Sequence, residues 1–345
     1  MAYTTIDDPS AHFQTTLYTG NGGTISITNG GNSDLKPDWV WIKNRTQYQH
    51  QAYDTNRGAT KKFLVSNDDA ESTDTNALTA FNTDGFSTGT NVGVNQNSTG
   101  HVAWQWKANG GTTASNTDGS LTSTVQANTT AGFSIITYTA ADSDEVIGHG
   151  LGVKPDIIII KRRDADSAPW ITFFPNLLTT NKQVYLNQTS ALDTNNVKEV
   201  GASTFRVYGW EDVAVANGTY VAYCFAAKQG YSKIGTYVGN GNADGPFVYT
   251  GFQPAFLLMK EISSAGGNWV NFDNKRDVDN VLIHRLHPNT TAGDNTSRNY
   301  IDFYSNGFKM RNTDADHNQS GETMVYMAFA EHPFVTSTGI PTTAR

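Results

Sequence analysis

Lys36-Pro37-Asp38-Trp39-Val40-Trp41-Ile42-Lys43 reads KPDWVWIK, and the phrase returns as KPDIIIIK at 154–161 and as QPAFLLMK at 253–260. Each copy opens on a proline and closes on a lysine six positions later. The apolar run between them is too short for a helix. It is rich in β-branched and aromatic residues, so it predicts a strand buried on both faces. Proline is tolerated at the first residue of a strand, and the closing Lys43, Lys161 or Lys260 is expected to mark the exit to solvent.

Other landmarks keep step with the phrase. Tyr18, Tyr138 and Tyr237 precede the three prolines, Phe86, Phe205 and Phe308 follow them, and Val102, Val221 and Val325 open a last apolar run. Pro37, Pro155 and Pro254 lie 118 and 99 residues apart. That period is too long for a solenoid unit, so each copy is expected to be a small domain. YDTNR at 53–57 is similar to FDNKR at 272–276, and Trp170 and Trp269 each follow the repeated lysine by nine residues.

TGFSIITYT, KFLVS, QVYLN and NVLIHRL have the looser alternation of strands with one wet face. GNGG, NTDG, GNGNADG and SSAGG between them carry turn chemistry. DDAESTDTNALTAF is expected to be at most a short helix across a loop. The fold class is therefore all-β, as three tandem antiparallel β-sandwiches of jelly-roll, lectin-like type. Their expected extents are 1–110, 111–232 and 233–345.

Charged residues make up 16% of the 345, below the usual quarter, and Thr, Asn, Gly and Ser replace them. Such a surface is polar and nearly neutral, as on an extracellular or particle-surface protein. The net charge of −8 lacks the clustered lysine and arginine of a nucleic-acid footprint. MAYTTIDDPS has no secretory pattern, and no apolar window is long enough to span a bilayer, so neither standard export nor membrane insertion is expected. Cys224, the one cysteine, is expected to be buried and inert.

No nucleophile-elbow, zinc-protease, phosphate-loop or paired-cysteine motif is present. Glu145, Glu211, Glu261, Glu322 and Glu331 are isolated and suggest no glycosidase pair. His284 and His287 are expected to point to opposite faces. The preferred Ca²⁺ candidate is the acidic loop carrying Asp68, Asp69, Glu71 and Asp74, although it lacks EF-hand spacing. Exposed aromatics are the usual sugar platforms. Trp39, Trp41, Trp104 and Trp106 vary among the copies as core positions do, which leaves Trp170, Trp210 and Trp269, beside loops, as candidate ligand residues.

Taken together, MAYTTIDDPSAHFQTTLYTGNG, GHGLGVKPDIIIIK, NGTYVAYCFAAKQGYSKIGTYVGNG, NWVNFDNKRD and FVTSTGIPTTAR resemble a protein group of marine tailed phages infecting cyanobacteria and SAR11 bacteria. The resemblance covers essentially the whole chain. Such proteins carry the labels domain of unknown function, concanavalin-A-like lectin/glucanase or tail fibre. The resemblance implies a non-enzymatic virion structural protein at the particle surface or tail, built of lectin-like sandwiches. Its expected partners are other virion proteins, copies of itself in a homo-oligomer such as a trimer, and host surface polysaccharide. A capsid decoration protein with no ligand is the alternative, and a polysaccharide depolymerase the least favoured one.

Overall fold

Each copy of the opening phrase is a central strand of a large sheet. The computed structural model describes residues 2–177, 182–194 and 197–342. In the first repeat the strands are β1 (Phe13–Thr19), β2 (Ile25–Ile27), β3 (Trp39–Asn44), β4 (Gln51–Asp54), β5 (Lys61–Leu64), β6 (Ser72–Thr73), β7 (Leu78–Phe81), β8 (Phe86–Thr88) and β9 (Gly100–Trp106). They form two antiparallel sheets, β1-β9-β3-β4-β5-β6 and β2-β8-β7.

The second repeat holds β10 (Ala114–Asn116), β11 (Ser123–Asn128), β12 (Phe133–Thr139), β13 (Asp144–Gly148), β14 (Ile157–Arg162), β15 (Ile171–Phe173), β16 (Lys182–Tyr185), β17 (Asp193–Thr194), β18 (Val197–Lys198), β19 (Thr204–Tyr208) and β20 (Thr219–Phe225). Its sheets are β10-β11-β12-β20-β14-β15-β16-β17 and β13-β19-β18. The third repeat holds β21 (Ser232–Val238), β22 (Phe247–Tyr249), β23 (Phe252–Glu261), β24 (Trp269–Asp273), β25 (Ile301–Tyr304), β26 (Gly307–Met310) and β27 (Thr323–Pro333). Here the sheets are β21-β27-β23-β24 and β22-β26-β25. The chain is all-β, with antiparallel sheets stacked as sandwiches.

Side chains alternate across each central strand, and both faces are buried for different reasons. Val40 and Ile42, Ile158 and Ile160, and Leu257 and Met259 point outward, each set joining the landmark Phe86, Phe205 or Phe308 of its own small sheet. Trp39 and Trp41, Ile157 and Ile159, and Phe256 and Leu258 point inward and share one continuous core with Val102, Val221 and Val325. Three sandwiches thus pack their large sheets against one another. Trp106, Phe225 and Phe329, equivalent positions at or near the ends of β9, β20 and β27, meet in a triangle. Their ring centroids are 6.3, 5.7 and 5.7 Å apart and their planes meet at 69°, 69° and 64°. Near-equal edges make this the pseudo-threefold centre of the molecule.

The landmark tyrosines lock each sandwich in the same way. Tyr18, Tyr138 and Tyr237 donate their hydroxyls to the main-chain oxygens of Val94, Val213 and His317, at 2.6, 2.9 and 2.5 Å. Short helices α1 (Val92–Asn95) and α2 (Ala315–Asn318) supply two of those acceptors. The repeated YTGNG and YVGNG follow from the same corner. A side chain on Gly20 or Gly239 would sit 2.2 Å from the carbonyl oxygen of Gln96 or Gln319.

The N-terminal segment closes the ring. Tyr3 and Thr4 donate to the Gly251 and Gln229 oxygens at 2.7 and 2.8 Å, Ile6 enters the shared core, and Asp7 accepts from Ser337.

Four local expectations are corrected. DDAESTDTNALTAF contains β6 and all of β7, and NVLIHRL forms isolated bridges rather than a strand. Pro37 and Pro155 stand two residues before their strands, whereas Pro254 lies inside β23 at a shift of register. Lys43, Lys161 and Lys260 do not exit to solvent: all three are fully buried.

Candidate ligand surfaces and the predicted site residues

The buried lysines show how the seams between repeats are built. Lys43 Nζ donates to the Asn44, Gln47 and Thr291 oxygens at 2.6, 2.8 and 3.3 Å. Lys161 Nζ donates to Asp68 O at 2.9 Å and to Ala168 O. Lys260 Nζ reaches Gly267 O at 2.6 Å and Thr189 O at 3.3 Å. Each ammonium therefore binds its own repeat and the preceding one, the first repeat closing onto the third. Burial lowers Lys43 to about 7 and Lys161 and Lys260 to about 8.

Trp269 stands across the ladder from Lys260, and one step beyond the last ladder pairs His50 and Trp170 take the matching places for Lys43 and Lys161. Trp170 and Trp269 are 0% and 1% exposed. Their indole N–H groups donate to Leu64 O and Tyr185 O of the preceding repeat, at 3.2 and 2.8 Å. The loops beside them in sequence are packed against a neighbouring repeat, so neither ring offers a face to a ligand, and that expectation is corrected. Trp210 is half-buried, its ring meeting Tyr185 edge-on at 6.4 Å.

The acidic loop likewise has its side chains engaged within the protein. The cation it receives is the Lys161 ammonium, held by the main-chain oxygen of Asp68. Asp68 also accepts from Asn187 Nδ2, and Asp69 from Asn67 at 2.6 Å. Glu71 pairs with Arg57 and Arg163 at 3.0 Å, and Asp74 with Lys62 at 2.9 Å. The four carboxylates are thus divided among separate partners. Among the described residues no three His, Cys, Asp or Glu side chains converge as a metal group.

Two seams are ionic and the third is apolar. Asp54 pairs with Arg57 and accepts from Tyr223 Oη at 2.6 Å, while Glu71 bridges Arg57 to Arg163. Asp273 pairs with Arg276 and accepts from Trp104 Nε1 at 3.1 Å, while Asp294 bridges Arg276 to Arg45. The equivalent places at the remaining seam hold Phe174, Leu177, Leu192, Ile262 and Met327, all part of or packed on the shared core. The YDTNR and FDNKR echoes are the two ionic seams.

Four of the five candidate glutamates are spent singly. Glu145 accepts from the Ala141 and Asp142 amides, Glu261 from the Ser263 and Ser264 amides, Glu211 pairs with Arg162 and Glu331 with Lys275. His284 pairs with Asp277 at 2.7 Å, whereas His287 meets Trp269 O at 3.1 Å. Cys224 is buried, and burial raises its thiol far above the usual range.

Two surfaces retain ligand-ready features. On the outer face of the third repeat's small sheet, Phe247 and Tyr249 are 47% and 48% exposed, and Phe247 lies 6.0 Å from Tyr304. Gly307 forms the floor of this patch. A Cβ there would come within 2.9 Å of the Phe247 ring and 2.2 Å of Val248 O. The Lys309–Asp244 and Arg311–Asp302 pairs, at 2.5 and 3.2 Å, border it. The signal in the sequence was PFVYTG, whose two aromatics alternate about one valine as on a one-sided strand.

The second surface is a groove of about 550 Å³ at the seam between third and first repeats, lined by Phe13 to Leu17, Gly30, Gly31, Lys275, Glu331 and His332 among others.

Fold and surfaces together define a ring of three β-sandwiches in one chain, its inner charges neutralised at seams and its polar-aromatic faces turned outward. Residues 8–333 match the family described as Domain of unknown function (DUF7483), and the chain belongs to that family. The match spans all three repeats as one unit. No curated protein matches the chain.

Proposed function

We propose that this chain is a non-enzymatic structural protein of a phage virion, part of a tail fibre or similar surface appendage, which contacts host surface polysaccharide through its outer faces. The observation that carries the reading is the Phe247–Tyr249–Tyr304 patch over Gly307. Aromatic faces take the apolar face of a pyranose, and the bordering charged groups take its hydroxyls. The charge-poor composition and the resemblance to marine phage proteins support the particle surface as its place. The separate partners of the glutamates favour binding over hydrolysis.

A second reading, a capsid decoration protein without ligand, is favoured by the pseudo-threefold ring, which matches in one chain the geometry of a lattice threefold site. Gold-labelled antibody on intact particles, together with retention of purified protein on host polysaccharide, tests the two. Label on the tail, with retention reduced at least tenfold by Phe247→Ala with Tyr249→Ala, is expected. Label over the capsid with no retention replaces the first reading by the second. Absence of the protein from purified particles overturns both.

A further inference from the structure

The three large sheets are not edged alike. Beyond β12 the second repeat adds β11, with Gln126 opposite Ile135 and Thr124 opposite Thr137. The equivalent strand of the first repeat is β1, which pairs with β9 on one side only. His12 O accepts from Lys107 N, so the ladder to β9 uses residues 14, 16 and 18. The main-chain groups of Phe13, Thr15 and Leu17 point the other way, into the groove, and no described residue pairs with them.

At the seam of first and second repeats, β11 also bonds the turn after β4. Gln126 Nε2 donates to Thr55 Oγ1 and Asn56 Oδ1 at 2.7 and 2.5 Å, and Asn56 Nδ2 returns to Thr124 O at 3.2 Å. The corresponding turn of the third repeat is Asn274-Lys275-Arg276, beside the groove. Asn274 N donates to Ala255 O at 3.0 Å just as Thr55 N donates to Asp38 O at 2.9 Å. Asn274 Oδ1, in the place of the Thr55 acceptor, is buried without a hydrogen-bond partner, and so is Thr15 Oγ1 on β1. Buried acceptors left unpaired are costly, so a donor brought to either one would be favoured.

We infer that the β1 edge and the groove beside it accept an extended strand from another protein chain, added antiparallel as β11 is added to β12. The occupant is charge-poor, because Lys275 and Glu331 neutralise each other at 2.8 Å along the groove wall. It carries an amide side chain where β11 has Gln126, to donate to Asn274 Oδ1. The site continues an existing seam, so the added strand touches both the first and the third repeat. Main-chain pairing supplies affinity and the alternate side chains supply selection.

The probe is a capped synthetic peptide of this chain's own 121–130, LTSTVQANTT, titrated into the full-length protein by fluorescence anisotropy, with amide exchange read residue by residue. Saturable binding is expected, with new protection at Phe13, Thr15 and Leu17. Thr15→Pro removes one outward N–H without touching the ladder to β9 and should weaken binding at least tenfold. Gly30→Trp should do the same from the surface, since a side chain at Gly30 enters open space. An unchanged melting curve for Gly30→Trp keeps the comparison valid should Thr15→Pro fail to fold. No saturation at millimolar peptide, binding indifferent to Gly30→Trp, or protection at a different edge overturns the inference. Concentration-dependent dimerisation of the chain abolished by Gly30→Trp overturns the assignment to another protein in favour of a second copy.

Discussion

Raising the pH from 7 to 9 should make this protein more stable. The cause is the three lysines at the seams. Burial lowers Lys43 to about 7 and Lys161 and Lys260 to about 8 in the folded chain, whereas an unfolded lysine titrates near 10.4. Between those values the unfolded chain keeps protons that the folded chain has released, so unfolding free energy rises with pH. Below the folded values the full cost of burying the ammonium is present, and above about 10.4 it is absent from both states. Integrated from pH 7 to 9, the gain is about 2 kcal/mol for Lys43 and about 1 kcal/mol for each of the other two. Urea denaturation at pH 7, 8 and 9 measures the sum. Cys224 works against this within the same window: burial raises its thiol, so near pH ~8.5 it ionises only in the unfolded chain and offsets about 1 kcal/mol of the gain by pH 9. Lys43→Met should remove about 2 kcal/mol of the rise. A profile that is flat or falling from 7 to 9, or a Lys43→Met slope equal to that of the parent, refutes the account.

Arg57→Leu alone should cost about 3–5 kcal/mol in denaturant titration, because it strands the buried Asp54 carboxylate. Converting the whole seam to its apolar counterpart, with Asp54→Phe, Arg57→Leu, Glu71→Leu, Arg163→Ile and Tyr223→Met, should recover most of that loss; a sum of five independent losses would show that the seams are not equivalent. Tyr18→Phe, Tyr138→Phe and Tyr237→Phe each leave a main-chain oxygen unpaired and should each cost about 1–2 kcal/mol; an effect confined to one of them would break the equivalence of the three corners.

Much of the architecture was legible in the residues. The tyrosine, phenylalanine and valine landmarks recur because each does one job three times: a hydroxyl to a main-chain oxygen, a ring under the small sheet, a methyl pair in the shared core. Trp39 and Trp41 vary to Ile and to Phe and Leu because all face the same apolar centre. What covers that inner face was not legible, since an apolar run buried on two sides reads alike whether the second layer is its own sheet or a neighbour's. The lysines misled for a related reason. A four-carbon stem can bury against apolar residues if its ammonium finds carbonyls, and those carbonyls come from a repeat distant in sequence. Trp170 and Trp269 look exposed only while the loop beside them is imagined in water. The aromatic patch at Phe247 was not legible because β22 has three residues, too few for its alternation to show which face is wet.

The triangle of Trp106, Phe225 and Phe329 also constrains how the molecule is made. Its three corners leave the ribosome in order, and the last follows the first by more than two hundred residues. At about 5–20 residues per second that interval is roughly 10–45 s. The second repeat brings Phe133, Tyr223 and Phe225 onto Trp39, but Trp104 and Trp106 wait for Phe256 and Phe329, so the nascent chain carries a wet aromatic face until β27 arrives. Synthesis of this protein therefore places its greatest demand on cellular chaperones just before β27 emerges, when two finished sheets wait for the third.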